Sequence, residues 1–257
     1  DRLENLMAKA ENPVIVLGAS TWTDEACSQI ADFADRHAIP VVASFRCQDK
    51  INNDHPNYIG VLGVGTPPFV SELIDQSDLL LFLGVELSEI VTEGFSKFTH
   101  PKMRQILVHV HPEEDELGRI YQPDLAIHSS VTSFAKQVAS RTFSTKANNS
   151  GIISKLREKF ETFTQPTICP GSVHIGEILA WLDQRLPKDT FLSCGAGNYT
   201  HWVLRFMKHR QLNTQLAPLG AVMGYGVPAA IAASLQHPER MSIAFAGDGC
   251  FLMNAQE

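Results

Sequence analysis

Ser77-Asp78-Leu79-Leu80-Leu81-Phe82-Leu83-Gly84 is the stretch that decides how this chain folds. Five apolar residues stand in a row between a polar pair and a glycine, too few for a helix of ordinary length. A strand with one wet face would alternate apolar and polar residues; an unbroken run needs cover on both faces, which is the condition of a parallel sheet inside helices. The same signature recurs on either side. Pro13–Leu17 runs into Gly18, Ile39-Pro40-Val41-Val42 is a second short run, and Gln105–Val110 and Asp124–His128 follow later. Between these runs the spacing turns helical. Thr21 to Asp24 offers a helix start followed by Ala26, Ile30, Phe33, Ala34 and His37; Pro67-Pro68 opens a helix through Ile74; and another is expected from Ser130 to Ser140. Strands alternating with helices predict an α/β, Rossmann-like, doubly wound parallel sheet.

The second half repeats the theme less cleanly. Thr142–Ser150 is polar and reads as a linker or the start of one, and a helical stretch follows near Ile152–Phe163. "QPTICPGS" (165–172) punctuates the chain before a second α/β unit. There a helix is expected over His174–Leu186, with Ile175, Ile178, Leu179 and Leu182 on one face. Then come a strand at Thr190–Cys194, a turn at "GAGN" and a helix over Tyr199–His209. A Gly/Ala-rich helix is expected through "GAVMGYGVPAAIAASLQHP", and a strand at "MSIAFAG". The expected division is a middle domain over 1–145, a linker over 146–170 and a truncated α/β domain over 171–257.

With 44% apolar and 19% charged residues the chain can bury a core and is not a disordered segment. A net charge of −7 and a pI near 5.8 argue against nucleic acid or an anionic membrane as the main partner. Nothing in the sequence resembles a membrane span or signal peptide, so a cytoplasmic protein is expected. The five cysteines include no C-x-x-C pair and read as buried free thiols.

Gly247-Asp248-Gly249 follows the last apolar run. Ligands of open α/β sheets sit beyond the carboxyl ends of the strands. An aspartate there can hold a hard cation together with phosphate oxygens, and flanking glycines let backbone approach a diphosphate. Gly224 to Ala229 also fits G-x-G-x-x-A, but no clear strand precedes it and no acidic residue follows at ribose distance, so these glycines read as packing and cofactor-approach positions. His109-Val110-His111 sets two imidazoles on one strand face without an evident third metal ligand.

"GDGCFLMNAQE" resembles the start of the thiamine-diphosphate motif, and "LGAVMGYGVPAAIAASLQHPERMSIAFAGDG" resembles the matching stretch of acetolactate synthase and its relatives. "GAGNYTHWVLRF" resembles the turn that contacts the diphosphate. "IPVVASF", "NDHPNYIGVLGVGT", "SDLLLFLGVEL" and "VHPEEDELGRIYQPDLAI" resemble the middle domain of those enzymes in order and spacing. The resemblance implies thiamine diphosphate and Mg²⁺ as cofactors. It implies Asp248 as a metal ligand, with Gly247, Gly249 and Cys250 at the diphosphate, where most relatives carry serine or alanine in place of Cys250. Gly197, Asn198 and Tyr199 match the diphosphate turn, where relatives often carry Gln-His, so the match there concerns backbone. Ala221 and Met223 fall in the cofactor bed, Met223 as the apolar wedge that bends the cofactor.

Acetolactate synthases also bind FAD across the middle domain. Gly18, Gly63, Gly65 and Gly84 stand near the expected strand ends, but Glu86 occupies a stretch where flavin-binding relatives carry an arginine, and "AIHSS" replaces a usual Gly-Asp. An acidic residue facing a phosphate is unfavourable, so the balance is against FAD, which stays open. The implied reaction is decarboxylation of a 2-oxo acid such as pyruvate and transfer to a second carbonyl, in a homodimer or homotetramer. A benzoylformate decarboxylase-like or aldehyde-lyase activity, or a non-catalytic nucleotide-binding module, are the alternatives. The activating glutamate and the metal-binding asparagine of the family are expected outside these 257 residues, so no catalytic residue is assigned and the chain alone is expected to be inactive.

Overall fold

The computed structural model describes residues 1–144 and 149–256, so the expected boundary near 145–146, the middle of the predicted linker and Glu257 lie outside the described residues. In the first unit β1 (Pro13–Leu17), β2 (Val41–Ser44), β3 (Tyr58–Leu62), β4 (Leu79–Leu83), β5 (Ile106–His111) and β6 (Leu125–His128) form one parallel sheet in the order β3-β2-β1-β4-β5-β6. The chain winds outward from β1 to β3, crosses back, and winds outward again from β4 to β6, so the switch point lies between β1 and β4. Leu81 pairs with Ile15 on one side and Val108 on the other, and every residue of β4 is at most 1% exposed. Burying side chains of this size contributes roughly 1.5–3 kcal/mol each, which is why an unbroken apolar run is stable only here.

The helices are α1 (Arg2–Met7), α2 (Asp24–Arg36), α3 (Pro68–Gln76), α4 (Val131–Ala139) and α5 (Ser150–Phe163). Thr23 caps α2 by accepting from the Ala26 N–H at 3.2 Å, Asp24 and Glu25 sit in its first turn and Arg36 in its last, all favourable to the helix dipole. Its buried face is Ala26, Ile30, Phe33 and Ala34, and it packs beside α4. α5 packs on β3, with Phe160 edge-on to Tyr58 at 5.3 Å. β3 has no counterpart among the predicted strands. Gly60 interrupts it at φ 138°, where an added Cβ would meet Val70 at 3.2 Å, and the register with β2 shifts between Val41 and Val42. A glycine mid-strand weakens the local signal while allowing the close approach.

The second unit holds α6 (Ile175–Asp183), β7 (Phe191–Cys194), α7 (Tyr199–Phe206), β8 (Gln215–Leu216), α8 (Gly226–Gln236), β9 (Ser242–Phe245) and α9 (Asp248–Met253), with a parallel sheet ordered β8-β7-β9. Its core is small: Leu179, Leu192, Val203, Phe206 and Met207. Three expectations are corrected here. The Gly/Ala-rich helix begins only at Gly226, because Gly224 at φ 87° and Ala221 at φ 53° turn the chain before it. On α6, Gly176 and Leu179 are buried on the side packed by α7 while Ile175 and Ile178 are exposed, so the four expected residues do not share one covered face. α7 ends at Phe206, three residues early, where Met207 turns extended.

The units meet along a polar seam. The Asn53 N–H donates to the His209 carbonyl at 2.8 Å, and the His209 N–H donates back to the Asn53 Oδ1 at 2.9 Å. Gln48 donates from its backbone to the Gln215 Oε1 at 2.8 Å and from its side chain to the Leu204 carbonyl at 3.1 Å. Arg210 bridges Asp54 of the first unit, at 2.7 Å, and Asp183 of the second, at 2.8 Å. Among the described residues no helix is long and apolar enough to cross a membrane.

Candidate functional site

Three loops converge at the carboxyl ends of β7 and β9. The first is the turn 195–198 that leaves β7, with Gly197 at φ 135°. The second is 217–225, which enters α8. The third is Ala246–Gly249, which opens α9. Sulfur and ring contacts tie them together. The Cys250 thiol donates to the Ala196 carbonyl at 3.0 Å and accepts from the Tyr199 hydroxyl at 3.5 Å. The Tyr199 hydroxyl accepts from the Gly195 N–H at 3.2 Å, and burial pushes it up to about 12. Its ring lies against both glycine turns: a Cβ on Gly197 would meet it at 3.1 Å, and one on Gly247 at 3.4 Å. Alanine at Gly226 would press on the backbone of Cys194 and Gly195 at 3.0 Å, so α8 can start against the end of β7 only with glycine there.

Asp248 is exposed at the mouth of β9, with its Oδ1 accepting from the Gly249 N–H at 2.8 Å. Met223 is 42% exposed, and its Cε lies 2.9 Å from where a Gly249 Cβ would stand. Glycine at 249 thus makes room for the thioether. Ala221 sits on the same loop in the left-handed region, and Asn198 immediately precedes α7. The structure therefore brings Gly197, Tyr199, Met223, Gly247, Asp248, Gly249 and Cys250 into one cradle, with Ala221 and Asn198 on the loops that build it. Among the described residues no group of three or more His, Cys, Asp or Glu side chains is placed to hold a metal ion. A single carboxylate beside glycine-lined backbone fits a magnesium diphosphate, in which phosphate oxygens and water complete the coordination. The exposed carboxylate and the glycine turns beside Met223 are the features that fit thiamine diphosphate.

Two residues escaped the sequence reading. The Asn254 side-chain amide donates to the Gly224 carbonyl at 2.6 Å and fixes the turn before α8. Arg46, from the first unit, reaches the same loops from below: its Nη1 donates to the Pro218 carbonyl and its Nη2 to the Gly195 carbonyl, both at 2.6 Å. Asn254 stands inside the stretch that begins at Gly247 but was given no role there, and Arg46 lies in no motif, where a lone arginine carries no positional signal.

The other place a cofactor could lie is the switch point of the six-stranded sheet, where a flavin would set its diphosphate. A Cβ on Gly18 would fall 2.2 Å from the Gly84 carbonyl oxygen, so the loops after β1 and β4 touch there, and the Trp22 indole N–H closes over the Gly18 carbonyl at 3.0 Å. The remaining cleft, about 410 Å³, is lined by Glu86, Glu113, Lys50, Arg46 and His111. Its cations are engaged, Lys50 with Asp49 at 2.9 Å and Arg46 with the two carbonyls. Carboxylates lining this cleft and cations engaged elsewhere are unfavourable to a flavin diphosphate. His109 and His111 lie with ring centroids 5.8 Å apart. His109 bonds the Val85 carbonyl at 2.9 Å, burial pushes its pKa down to about 4, and His111 accepts from the Glu113 N–H at 3.1 Å.

The family model described as thiamine pyrophosphate enzyme, central domain, matches residues 1–138, and that described as thiamine pyrophosphate enzyme, C-terminal TPP binding domain, matches residues 195–257. The chain is 28% identical to the acetolactate synthase large subunit of Porphyra purpurea, over 98% of this chain and 43% of that protein. It is 26% identical to acetolactate synthase isozyme 1 large subunit of Escherichia coli, over 96% and 43%, and 24% identical to acetolactate synthase 3, chloroplastic, of Brassica napus, over 100% and 39%. The chain thus spans less than half the length of these curated relatives. A central-domain match over more than half of the residues, followed in order by the cofactor-binding match, makes the chain a member of the thiamine pyrophosphate enzyme family.

Proposed function

We propose that this chain is the scaffold and half the cofactor bed of a thiamine-diphosphate- and Mg²⁺-dependent 2-oxo-acid decarboxylase and carboligase of the acetolactate synthase type, joining two pyruvates with loss of CO2. The observation that carries this reading is the convergence of Asp248, Met223 and the glycine turns at the mouths of β7 and β9. When bound, thiamine diphosphate would supply an electron sink for the carbanion left by decarboxylation. This chain's residues would do the holding. Asp248 would bind Mg²⁺. The backbone of Gly197, Asn198, Tyr199, Gly247, Gly249 and Cys250 would face the diphosphate, and Ala221 and Met223 would support the rings from below. Met223 would exclude water from one face of the bed and support the bound cofactor in the conformation its chemistry needs. The thiol of Cys250 is engaged with Ala196 and Tyr199 and has no reactive role in this reading.

The middle domain, in this reading, binds no FAD and serves as support. The working assembly would be a homodimer or homotetramer, and the 257-residue chain by itself would not turn over pyruvate. The test uses the full-length polypeptide that carries this sequence. Titration with thiamine diphosphate at graded Mg²⁺ should give saturable binding and acetolactate from pyruvate. Asp248→Ala should raise the Mg²⁺ needed by about tenfold or more, the loss of one charged ligand. Undiminished carboligation by that variant at limiting Mg²⁺ would refute the metal assignment, and FAD saturating in the micromolar range would refute the bare scaffold.

A further inference from the structure

We propose that Arg46 is a positioning residue for thiamine diphosphate: a guanidinium from the first unit pins together the two loops of the second unit that would carry the cofactor. The proposal rests on the functional reading above and adds a residue outside the cofactor-binding segment. Arg46 lies just beyond β2, two residues after Ser44, with φ 60°, a conformation that residues other than glycine seldom take. It is 4% exposed. Its Nη1 and Nη2 each donate to a backbone carbonyl at 2.6 Å, one at Pro218 and one at Gly195, and the guanidinium stands 4.8 Å from the centre of the Phe45 ring. Gly195 opens the turn that leads to Gly197, Asn198 and Tyr199. Pro218 opens the loop that leads to Ala221 and Met223. One planar fork therefore sets the separation of the two loops on either side of the cradle.

The cost of this arrangement argues for a purpose beyond docking. Among the described residues the cation is buried without a carboxylate in hydrogen-bond reach and its Nε has no partner, and its backbone is strained. Burial lowers its pKa from the ordinary guanidinium value, which is so high that the charge persists at neutral pH. The seam is already joined by Asn53 with His209, Gln48 with Gln215, and Arg210 with Asp54. A lysine could replace it only in part, since an ammonium cannot present two parallel donors in one plane.

The experiment measures thiamine diphosphate dissociation constants by calorimetry at saturating Mg²⁺ on the full-length polypeptide, for the parent, Arg46→Gly, Arg46→Lys and Gln48→Ala. Glycine takes φ 60° without strain, so Arg46→Gly removes the fork and spares the backbone. We expect it to weaken binding by about tenfold or more, the scale of one or two charge-assisted hydrogen bonds. Millimolar methylguanidinium should restore most of that affinity, whereas Gln48→Ala, which loosens the seam elsewhere, should bind within about twofold of the parent. Arg46→Lys should fall between. Arg46→Gly binding as tightly as the parent would overturn the proposal, as would equal weakening by Gln48→Ala or a loss that methylguanidinium leaves unchanged. Should Arg46→Gly fail to fold, parent-like affinity in Arg46→Lys would overturn it. A parent protein that binds no thiamine diphosphate would instead refute the functional reading, and this one with it.

Discussion

The two parallel sheets of this chain obey the same rule and end in opposite states. In β4 no residue is more than 1% exposed, while β9, also apolar and also parallel, has no residue in the fully buried class. β4 lies between β1 and β5 with helices above and below; β9 pairs only with β7 among the described residues, and Met241, Leu235, Phe251 and Leu252 around it face solvent. A parallel strand earns its stability from two neighbours and two covered faces. The first sheet supplies both from residues of its own unit. The second supplies one neighbour and one face, so its loops depend on contacts from outside, and the seam with the first unit is one of these.

The strongest way to break the comparison is at the switch point. Gly18→Val would drive a Cβ to 2.2 Å from the Gly84 carbonyl oxygen, backbone against backbone. We expect a loss of about 4 kcal/mol or more, read as collapse of soluble yield and of the thermal transition. Next come matched truncations. Leu81→Ala should cost about 3 kcal/mol in urea unfolding and Ile243→Ala about 1 kcal/mol, following their burial. Equal costs would mean that β9 is as well supported as β4.

Acid should weaken both regions through histidines kept neutral by burial. Burial pushes His109 in the first unit and His209 at the seam down to about 4. In the unfolded chain both take up a proton below about pH 6.5, so the folded state loses stability as pH falls from there towards 4. By pH 5 the loss should reach about 2 kcal/mol per histidine. His109→Phe should flatten that slope in urea midpoints taken at pH 5 and 7. The smallest expected effect is at a helix start: Thr23→Ala removes the bond to the Ala26 N–H and should cost about 1 kcal/mol in the same assay, confined to the first unit.

What could be read without coordinates follows the same division. β1, β2, β4, β5 and β6 were visible because each is a largely apolar run, and α2 because Thr21 to Asp24 offers a start and Ala26, Ile30, Phe33 and Ala34 keep helical spacing. β3 was hidden by Gly60, and β8, only Gln215–Leu216, is too short to carry a period. The Gly/Ala stretch read as one long helix because composition cannot reveal that Gly224 turns at φ 87°. The cradle was legible where glycine and aspartate meet a strand end, since that chemistry is local. Arg46 and Asn254 were not, because their contacts span 172 and 30 residues of sequence. Nothing near Arg46 in the chain distinguishes it from any surface arginine, and the stretch that holds Asn254 does not show that its amide turns back to Gly224.

Arg46, Gln48, Asn53 and Asp54 all come from one short segment after β2, and each reaches across to the other unit. The inheritance of the two units is therefore linked. A chimera that takes its first unit from one relative and its second from another, spliced near Gln165, would disturb all four of these contacts at once. Transplanting the stretch from Phe45 to Asn57 along with the second unit should be the smallest graft that lets such a recombinant fold as one body.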